Sequence, residues 1–145
     1  MFRAWLPFGA VLLFRPSLPR REVELVILRT ASNCSCGYEW AHHASLSGRY
    51  RISADALDAI SDWQHEPEVF SPRERSILGA ADELHRARTL QQETRDQLAE
   101  ILTHEEVIEL CMLVGQYEML AMTLNALGVE PEARTTDIQR KRSSA

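Results

Sequence analysis

Three residues with acid–base or nucleophilic side chains share one helical spacing in the first third of the chain. Cys36, Glu39 and His43 occupy positions i, i+3 and i+7, which places them on one stripe of an α-helix. A glutamate four residues before a histidine can accept a hydrogen bond from the imidazole and favour its protonated form. A cysteine at a helix N-terminus faces the positive end of the helix dipole, which favours the thiolate. The trio therefore predicts acid–base or thiol chemistry.

A fourth candidate, Glu24, lies on the preceding predicted helix. The two helices are separated by a break at residues 33–37, and an antiparallel hairpin would fold Glu24 over the same stripe. The competing interpretation is structural. In that case Glu39 and His43 form only a surface pair worth about 0.3–0.5 kcal/mol, and Cys36 is a small buried side chain.

The cysteine spacing does not predict a metal site. Cys34 and Cys36 form a Cys-x-Cys pair with His42 and His43 downstream, but this is not a usual zinc-binding spacing and a second ligand pair is missing. The sequence also contains no phosphate-binding glycine loop, no GxSxG motif and no HExxH motif. We therefore expect neither a metal nor a cofactor.

Helix signals dominate the rest of the chain, and no strand pattern competes with them. Capping boxes that begin at Ser71 and Thr103 mark two helix starts, and Gly128 marks the end of the last helix. The predicted helices lie at 20–32, at 38–46, after Ser53, after Ser71, around 98–102 and at 105–127. This pattern predicts an all-α fold with about six helices in a single domain.

The composition fits one folded domain. The chain has 145 residues, of which 45% are hydrophobic and 26% are charged, so it can bury one core and is too apolar for global disorder. The net charge of -5 gives no electrostatic reason to expect a nucleic-acid partner. An odd count of three cysteines does not build a secreted disulfide framework, so we expect reduced thiols in the cytoplasm.

The two most apolar segments, residues 1–14 and 105–127, have different predicted roles. Pro7 interrupts the first, and arginines rather than a small-x-small cleavage site follow it, so we expect a packed part of the mature protein. The second is apolar on most faces yet carries Glu109 and Glu118, so we expect a buried helix at an oligomer interface and no membrane span. The polar residues 130–145 are expected to form a flexible tail.

Residues 24–43, with the sequence ELVILRTASNCSCGYEWAHH, resemble the carboxymuconolactone decarboxylase family, which includes the alkyl hydroperoxidase D proteins. Residues 71–85 and 113–125 are similar to the same family, so the resemblance covers about residues 4–129 as one domain. It implies the alkyl hydroperoxidase D-like helical fold with a helical hairpin in its core. It also implies a small-molecule substrate and a homo-oligomer, a trimer or a hexamer.

Hydroperoxidase members of this family use a glutamate, a Cys-x-x-Cys pair and a histidine as a redox site. By resemblance, the glutamate falls on Glu24, the first cysteine on Cys36 and the histidine on His43, while Glu39 occupies the position of the second cysteine. A carboxylate cannot close a disulfide, and a bridge between Cys34 and Cys36 would be strained. The Tyr38-Glu39-Trp40 form of the motif resembles decarboxylase-type members of the family. This resemblance implies a cofactor-independent decarboxylase that acts on a carboxylated lactone or a related acid.

The leading interpretation is thus a carboxymuconolactone decarboxylase-type lyase with Glu24, Cys36, Glu39 and His43 as its catalytic residues. His43 is expected to be the acid that protonates a dienolate after carbon dioxide leaves.

Substrate-binding residues are expected at Arg29, Tyr38 and Glu118, and Arg49 is an alternative to Arg29 for holding a substrate carboxylate. The alternative for Glu118 is an ion pair at the interface, because a charge on a buried helix must be paired or line a cavity. Two other functions remain open. One is a thiol peroxidase that uses Cys36, with Cys34 as the nearest second thiol. The other is a non-catalytic oligomeric binding protein.

Overall fold

The computed structural model of the protein describes residues 2–131, which form seven α-helices and no strand. The all-α prediction is confirmed, and the helix count exceeds six because residues 2–14 form a helix of their own. The predicted tail lies outside the described residues except for positions 130 and 131. The helices are α1 (Phe2–Phe14), α2 (Arg20–Asn33), α3 (Gly37–Leu46), α4 (Ala54–Ala59), α5 (Pro72–Ala87), α6 (Gln92–Ile101) and α7 (His104–Ala126).

Helix α2 is the central element of the fold. Its residues 22–31 are all buried, and it packs against α3, α5 and α7. One side of α2, including Val23 and Ile27, joins the core shared with α5 and α7. The other side, including Leu25 and Leu28, packs with the core on the α4 side. Because α2 is enclosed on all sides, its polar side chains must find partners within the protein.

Helix α7 is buried on only one of its faces within this chain. One face packs into the core, while the opposite face exposes large apolar side chains, namely Ile108, Met112, Met119 and Met122. By length and composition, α7 is the one described helix that could cross a membrane. A third of its most apolar stretch is buried. Its packing against α2 and α5 is that of a core helix in a helical domain.

Helix α1 packs on α7 and continues through Pro7, where the sequence predicted an interruption. A proline this close to the helix start removes only the bond to the carbonyl of Arg3. Leu12 enters the core, and the indole N–H of Trp5 donates to the side-chain oxygen of Gln116 at 3.1 Å. The expectation of a packed segment at residues 2–14 agrees with these contacts.

The connection between α2 and α3 reverses the chain in a tight turn. The backbone N–H of Cys34 donates to the carbonyl of Thr30, and that of Cys36 donates to the carbonyl of Ala31, both at 2.9 Å. Ser35 between them has a positive φ of 50°, a left-handed conformation that costs a non-glycine residue about 1–2 kcal/mol. The turn lays α3 beside α2 and so brings the two helices of the predicted hairpin together.

Candidate active site

The centre of the candidate site is His43, which lies between two glutamates. Its Nδ1 is 2.7 Å from Oε2 of Glu24 on α2, and its Nε2 is 3.5 Å from Oε2 of Glu39 on α3. All three side chains are buried. The hairpin therefore joins two carboxylates to one imidazole, as the spacing of Glu24, Glu39 and His43 predicted.

The two glutamates favour the charged form of His43. Burial alone would lower the pKa of this histidine, but its hydrogen bonds to Glu24 and Glu39 outweigh burial and raise the pKa above the ordinary value. A protonated imidazole donates from both ring nitrogens. The contact of Nε2 with Glu39 is the longer of the two, so the Nε2 proton is the one more available to a bound molecule.

Arg20 holds the other oxygen of Glu24. Its guanidinium lies 2.8 Å from Oε1 of Glu24 and 4.6 Å from the centre of the Tyr50 ring, in a cation–π contact. It also donates to the backbone carbonyl of Leu13. Glu24 therefore accepts from a guanidinium on one oxygen and from His43 on the other, which fixes the orientation of the carboxylate and of the imidazole.

A pocket of about 400 Å³ opens next to these groups, a size that suits a small organic molecule. Its wall includes Glu24, Glu39 and His43, together with apolar side chains from α1 and α7. Further polar and aromatic groups come from α3 and the following 3-10 turn (Ser47–Tyr50). They are Tyr38, His42, Arg49 and Tyr50.

Tyr117 of α7 closes the pocket on the side of His43. The two rings meet edge to face, with centroids 5.4 Å apart and an interplanar angle of 81°. Burial, together with the negative charges of Glu39 and Glu24, raises the pKa of Tyr117. The phenol therefore stays protonated near neutral pH and offers a neutral O–H donor to the pocket.

Cys36 does not join the glutamates and the histidine at the pocket. It is 1% exposed, and it is not among the residues that line the pocket. The helical spacing does not give the direction of the Cys36 side chain, because Cys36 is the N-cap of α3. Its backbone angles are φ -92° and ψ 93°, so its side chain does not follow the direction of the helical residues. The predicted meeting of all four groups is thus corrected to three.

Arg29 and Glu118 also lie away from the pocket lining, which corrects their expected place at the substrate. The guanidinium of Arg29 is bound by both oxygens of Asp82, at 2.6 and 3.0 Å. Glu118 accepts from His85 at 2.8 Å and contacts Arg88. Tyr38 and Arg49, in contrast, do line the pocket.

Three groups of this site were not predicted from the sequence: Arg20, Tyr50 and Tyr117. Arg20 had a detectable signal, since it stands four residues before Glu24 on the same predicted helix. Tyr117 comes from a segment distant in sequence, and Tyr50 lies in the 3-10 turn beyond the predicted end of the second helix. Neither had a local signal.

Part of the sequence matches a known protein family. The carboxymuconolactone decarboxylase family is matched by residues 1–83. Among curated proteins none matches.

Solved structures with the same fold include three bacterial proteins. An uncharacterized peroxidase-related protein from Silicibacter sp. TM1040 is 17% identical, with a TM-score of 0.83 over 92% of this chain and 71% of that one. A protein of unknown function from Agrobacterium tumefaciens, described as a putative antioxidant defence protein AhpD, is 18% identical, with a TM-score of 0.84 over 91% and 90%. A peroxidase-related protein from Ralstonia eutropha JMP134 is 19% identical, with a TM-score of 0.83 over 92% and 72%. At these identities the likeness shows the fold alone.

Proposed function

Because this chain belongs to the carboxymuconolactone decarboxylase family, we propose that it is a cofactor-independent decarboxylase of a carboxylated lactone or a related small acid. The observation that carries the proposal is the imidazole of His43 held between Glu24 and Glu39 at the wall of a pocket. None of the cysteines lines that pocket. This arrangement suits proton transfer better than thiol chemistry.

The reaction follows from elementary chemistry. The bond between the ring carbon and the substrate carboxylate breaks and releases carbon dioxide, and its electron pair passes through the conjugated alkene to the lactone carbonyl oxygen. The resulting dienolate needs a hydrogen-bond donor or a cation near its oxygen. His43 then transfers its Nε2 proton to carbon and is reprotonated from water, so one proton is consumed for each carbon dioxide released.

Two groups of the pocket wall fit the charge of such a substrate. Arg49 is exposed and has no carboxylate partner among residues 2–131, so it is free to bind the substrate carboxylate or the dienolate oxygen. The neutral hydroxyl of Tyr117 provides a second donor. Arg20 has a different role, because its guanidinium already holds Glu24.

The second candidate is a thiol peroxidase. It is favoured by two free thiols, Cys34 and Cys36, at one turn beside the site. Against it, Cys36 is enclosed, and burial, with a smaller contribution from Glu118, raises the pKa of the Cys34 thiol, which disfavours the thiolate.

All three cysteines are free, which supports the cytoplasm as the proposed compartment.

The proposal includes a homo-oligomer that covers the exposed face of α7. Ile108, Met112, Met119 and Met122 are all exposed, and with the exposed Gly115 they recur at alternating intervals of four and three residues. This is the spacing of a helix seam that packs against another helix. Exposed apolar side chains of α1, such as Phe14, add to the exposed apolar surface of the chain. A second copy of this chain is the proposed partner.

The proposed function is tested with a panel of carboxylated butenolides and organic hydroperoxides. We expect carbon dioxide release from at least one lactone, and we expect Cys36→Ala to retain it, because the thiol does not face the pocket. Arg49→Gln should raise KM by about 10-fold or more, as expected for losing a hydrogen bond to a charged group. Release of carbon dioxide and consumption of hydroperoxide are followed separately.

The matched control for Arg49→Gln is Arg86→Gln, which changes an arginine outside this pocket. Hydroperoxide reduction that disappears in Cys36→Ala, with no turnover of any lactone, would replace the decarboxylase by the thiol peroxidase.

A further inference from the structure

A second cluster of reactive side chains lies outside the pocket, on the side where the α2–α3 turn meets α5 and α7. Cys34 caps the end of α2, His85 is in the last turn of α5, and Glu118 is in the middle of α7. One ligand atom from each lies within 4.8 Å of the other two. All three residues are half-buried, so the donors are neither enclosed nor freely mobile.

We propose that Cys34, His85 and Glu118 form a three-residue binding site for a zinc ion. A thiolate, an imidazole and a carboxylate are the donor types that zinc takes in proteins, at about 2.0–2.3 Å. Donors around a tetrahedral ion at those bond lengths lie roughly 3.3–3.8 Å apart. Separations of up to 4.8 Å need to close by about 1–1.5 Å, and the contact of His85 with Glu118 at 2.8 Å needs to open slightly. Zinc takes four ligands, so three protein donors leave one position for water or a small ligand.

Two of the three groups, His85 and Glu118, now hold each other through a hydrogen bond. Nδ1 of His85 is 2.8 Å from Oε1 of Glu118, and Arg88 contacts Oε2 of the same carboxylate. The side chain of Arg88 is 65% exposed, so it can leave Glu118 for solvent at little cost. On binding, the Cys34 thiol releases its proton to solvent. The zinc ion takes the place of the proton on Nδ1 of His85, and the bound imidazole is neutral with its one proton on Nε2, any excess proton passing to solvent.

The backbone around Cys34 already holds the turn against α7. The side-chain N–H of Asn125 donates to the carbonyl of Cys34 at 2.9 Å, and this bond does not use the thiol. A zinc ion would add a covalent link between three helices that are distant in sequence. Because the unfolded chain does not present these donors together, binding stabilises the folded state by mass action.

The test uses Co²⁺ and Zn²⁺ added to the chelator-treated full-length protein. Co²⁺ bound by a thiolate has a charge-transfer absorption in the near ultraviolet, which reports directly on cysteine ligation. The variants are Cys34→Ser, His85→Gln and Glu118→Gln. The matched controls are Cys111→Ser, which removes an exposed thiol elsewhere, and His65→Gln, which removes another histidine paired with a carboxylate, Asp62.

We expect one Co²⁺ per chain, a thiolate band that is lost in Cys34→Ser, and at least a tenfold weaker Kd in His85→Gln and Glu118→Gln. Zn²⁺ should raise Tm of the wild-type protein and not that of Cys34→Ser. The control variants should behave as wild type, and Arg88→Gln should bind no more weakly than wild type, because the exposed guanidinium leaves Glu118 at little cost. The proposal is overturned by absence of the band, by a band that survives Cys34→Ser, or by an unchanged Kd in both His85→Gln and Glu118→Gln. Far-ultraviolet circular dichroism without metal confirms that each variant is folded.

Discussion

Replacing His43 by glutamine is expected to lower kcat on a carboxylated lactone by about 10²–10⁴-fold, the usual contribution of a general acid. Glutamine can still donate a hydrogen bond to Glu24, but it carries no transferable proton at neutral pH. The loss should appear mainly in kcat, because Arg49 and Tyr117 at the pocket wall are unchanged. The measurement is the initial rate of carbon dioxide release at saturating substrate.

The control for this substitution is His65→Gln, since His65 lies outside the pocket and its side chain is 80% exposed. Its kcat should equal that of the wild type. If His43→Gln retained more than about a tenth of wild-type kcat, a loss far below the general-acid range, His43 would not be the acid.

Replacing Asp82 by asparagine is expected to lower the free energy of unfolding by roughly 3–5 kcal/mol, as when one partner of a buried ion pair is removed. Asp82 is 2% exposed and accepts bonds from Asn33, Trp63 and Gln64 in addition to the two from Arg29. An amide at this position would turn N–H groups toward the guanidinium and leave the charge of Arg29 buried without a counterion. The measurement is equilibrium unfolding in urea.

The matched control is Asp62→Asn, which removes an acid from the exposed pair with His65 and should change stability by no more than about 0.5 kcal/mol. A double-mutant cycle with Arg29→Met tests the partner. The double variant should lose less than the sum of Arg29→Met and Asp82→Asn, because the buried charge is gone. Equal losses for Asp82→Asn and Asp62→Asn would show that the pair is not a structural anchor.

The hairpin that forms the site was predictable because the residues that define it are close together in the sequence. The spacing of Glu39 and His43 fixes their common face on α3, and the turn that follows α2 returns Glu24 to that face. The capping boxes at Ser71 and Thr103 were likewise predictable, because each uses a side chain and a backbone N–H only three residues apart. Helix starts and stripes therefore follow from the sequence.

Pairings across long stretches of chain were not predictable. Arg29 looked available for a substrate, but Asp82 binds it, and no periodicity links an arginine on one helix to an acid on another. Glu118 was expected either at a pocket wall or in an interface ion pair, and in the structure it pairs with His85 and Arg88 of its own chain. Tertiary packing determines such partners, and the local spacing of residues does not indicate them.

The case of Cys36 has a different cause. Its position fits the helical stripe in number, but a residue at the N-cap has non-helical backbone angles. Side-chain direction at a helix boundary therefore cannot be taken from the helical period, and boundaries are known from sequence only to within one or two residues.

Two glutamates favour the charged form of His43. Because protonation of His43 is favoured in the folded state, the stability of the protein depends on pH. The folded pKa lies above the unfolded value of about 6.5, so the stabilisation from protonating His43 is complete below that pH. It is lost as the pH rises through the folded pKa.

The most direct test is an NMR titration of the His43 imidazole in the folded protein and in the urea-unfolded protein. The account predicts a higher pKa in the folded state than in the unfolded state, and a fall of that folded pKa in Glu24→Gln. A folded pKa at or below the unfolded value would contradict it, because His43 would then be neutral and have no proton to give.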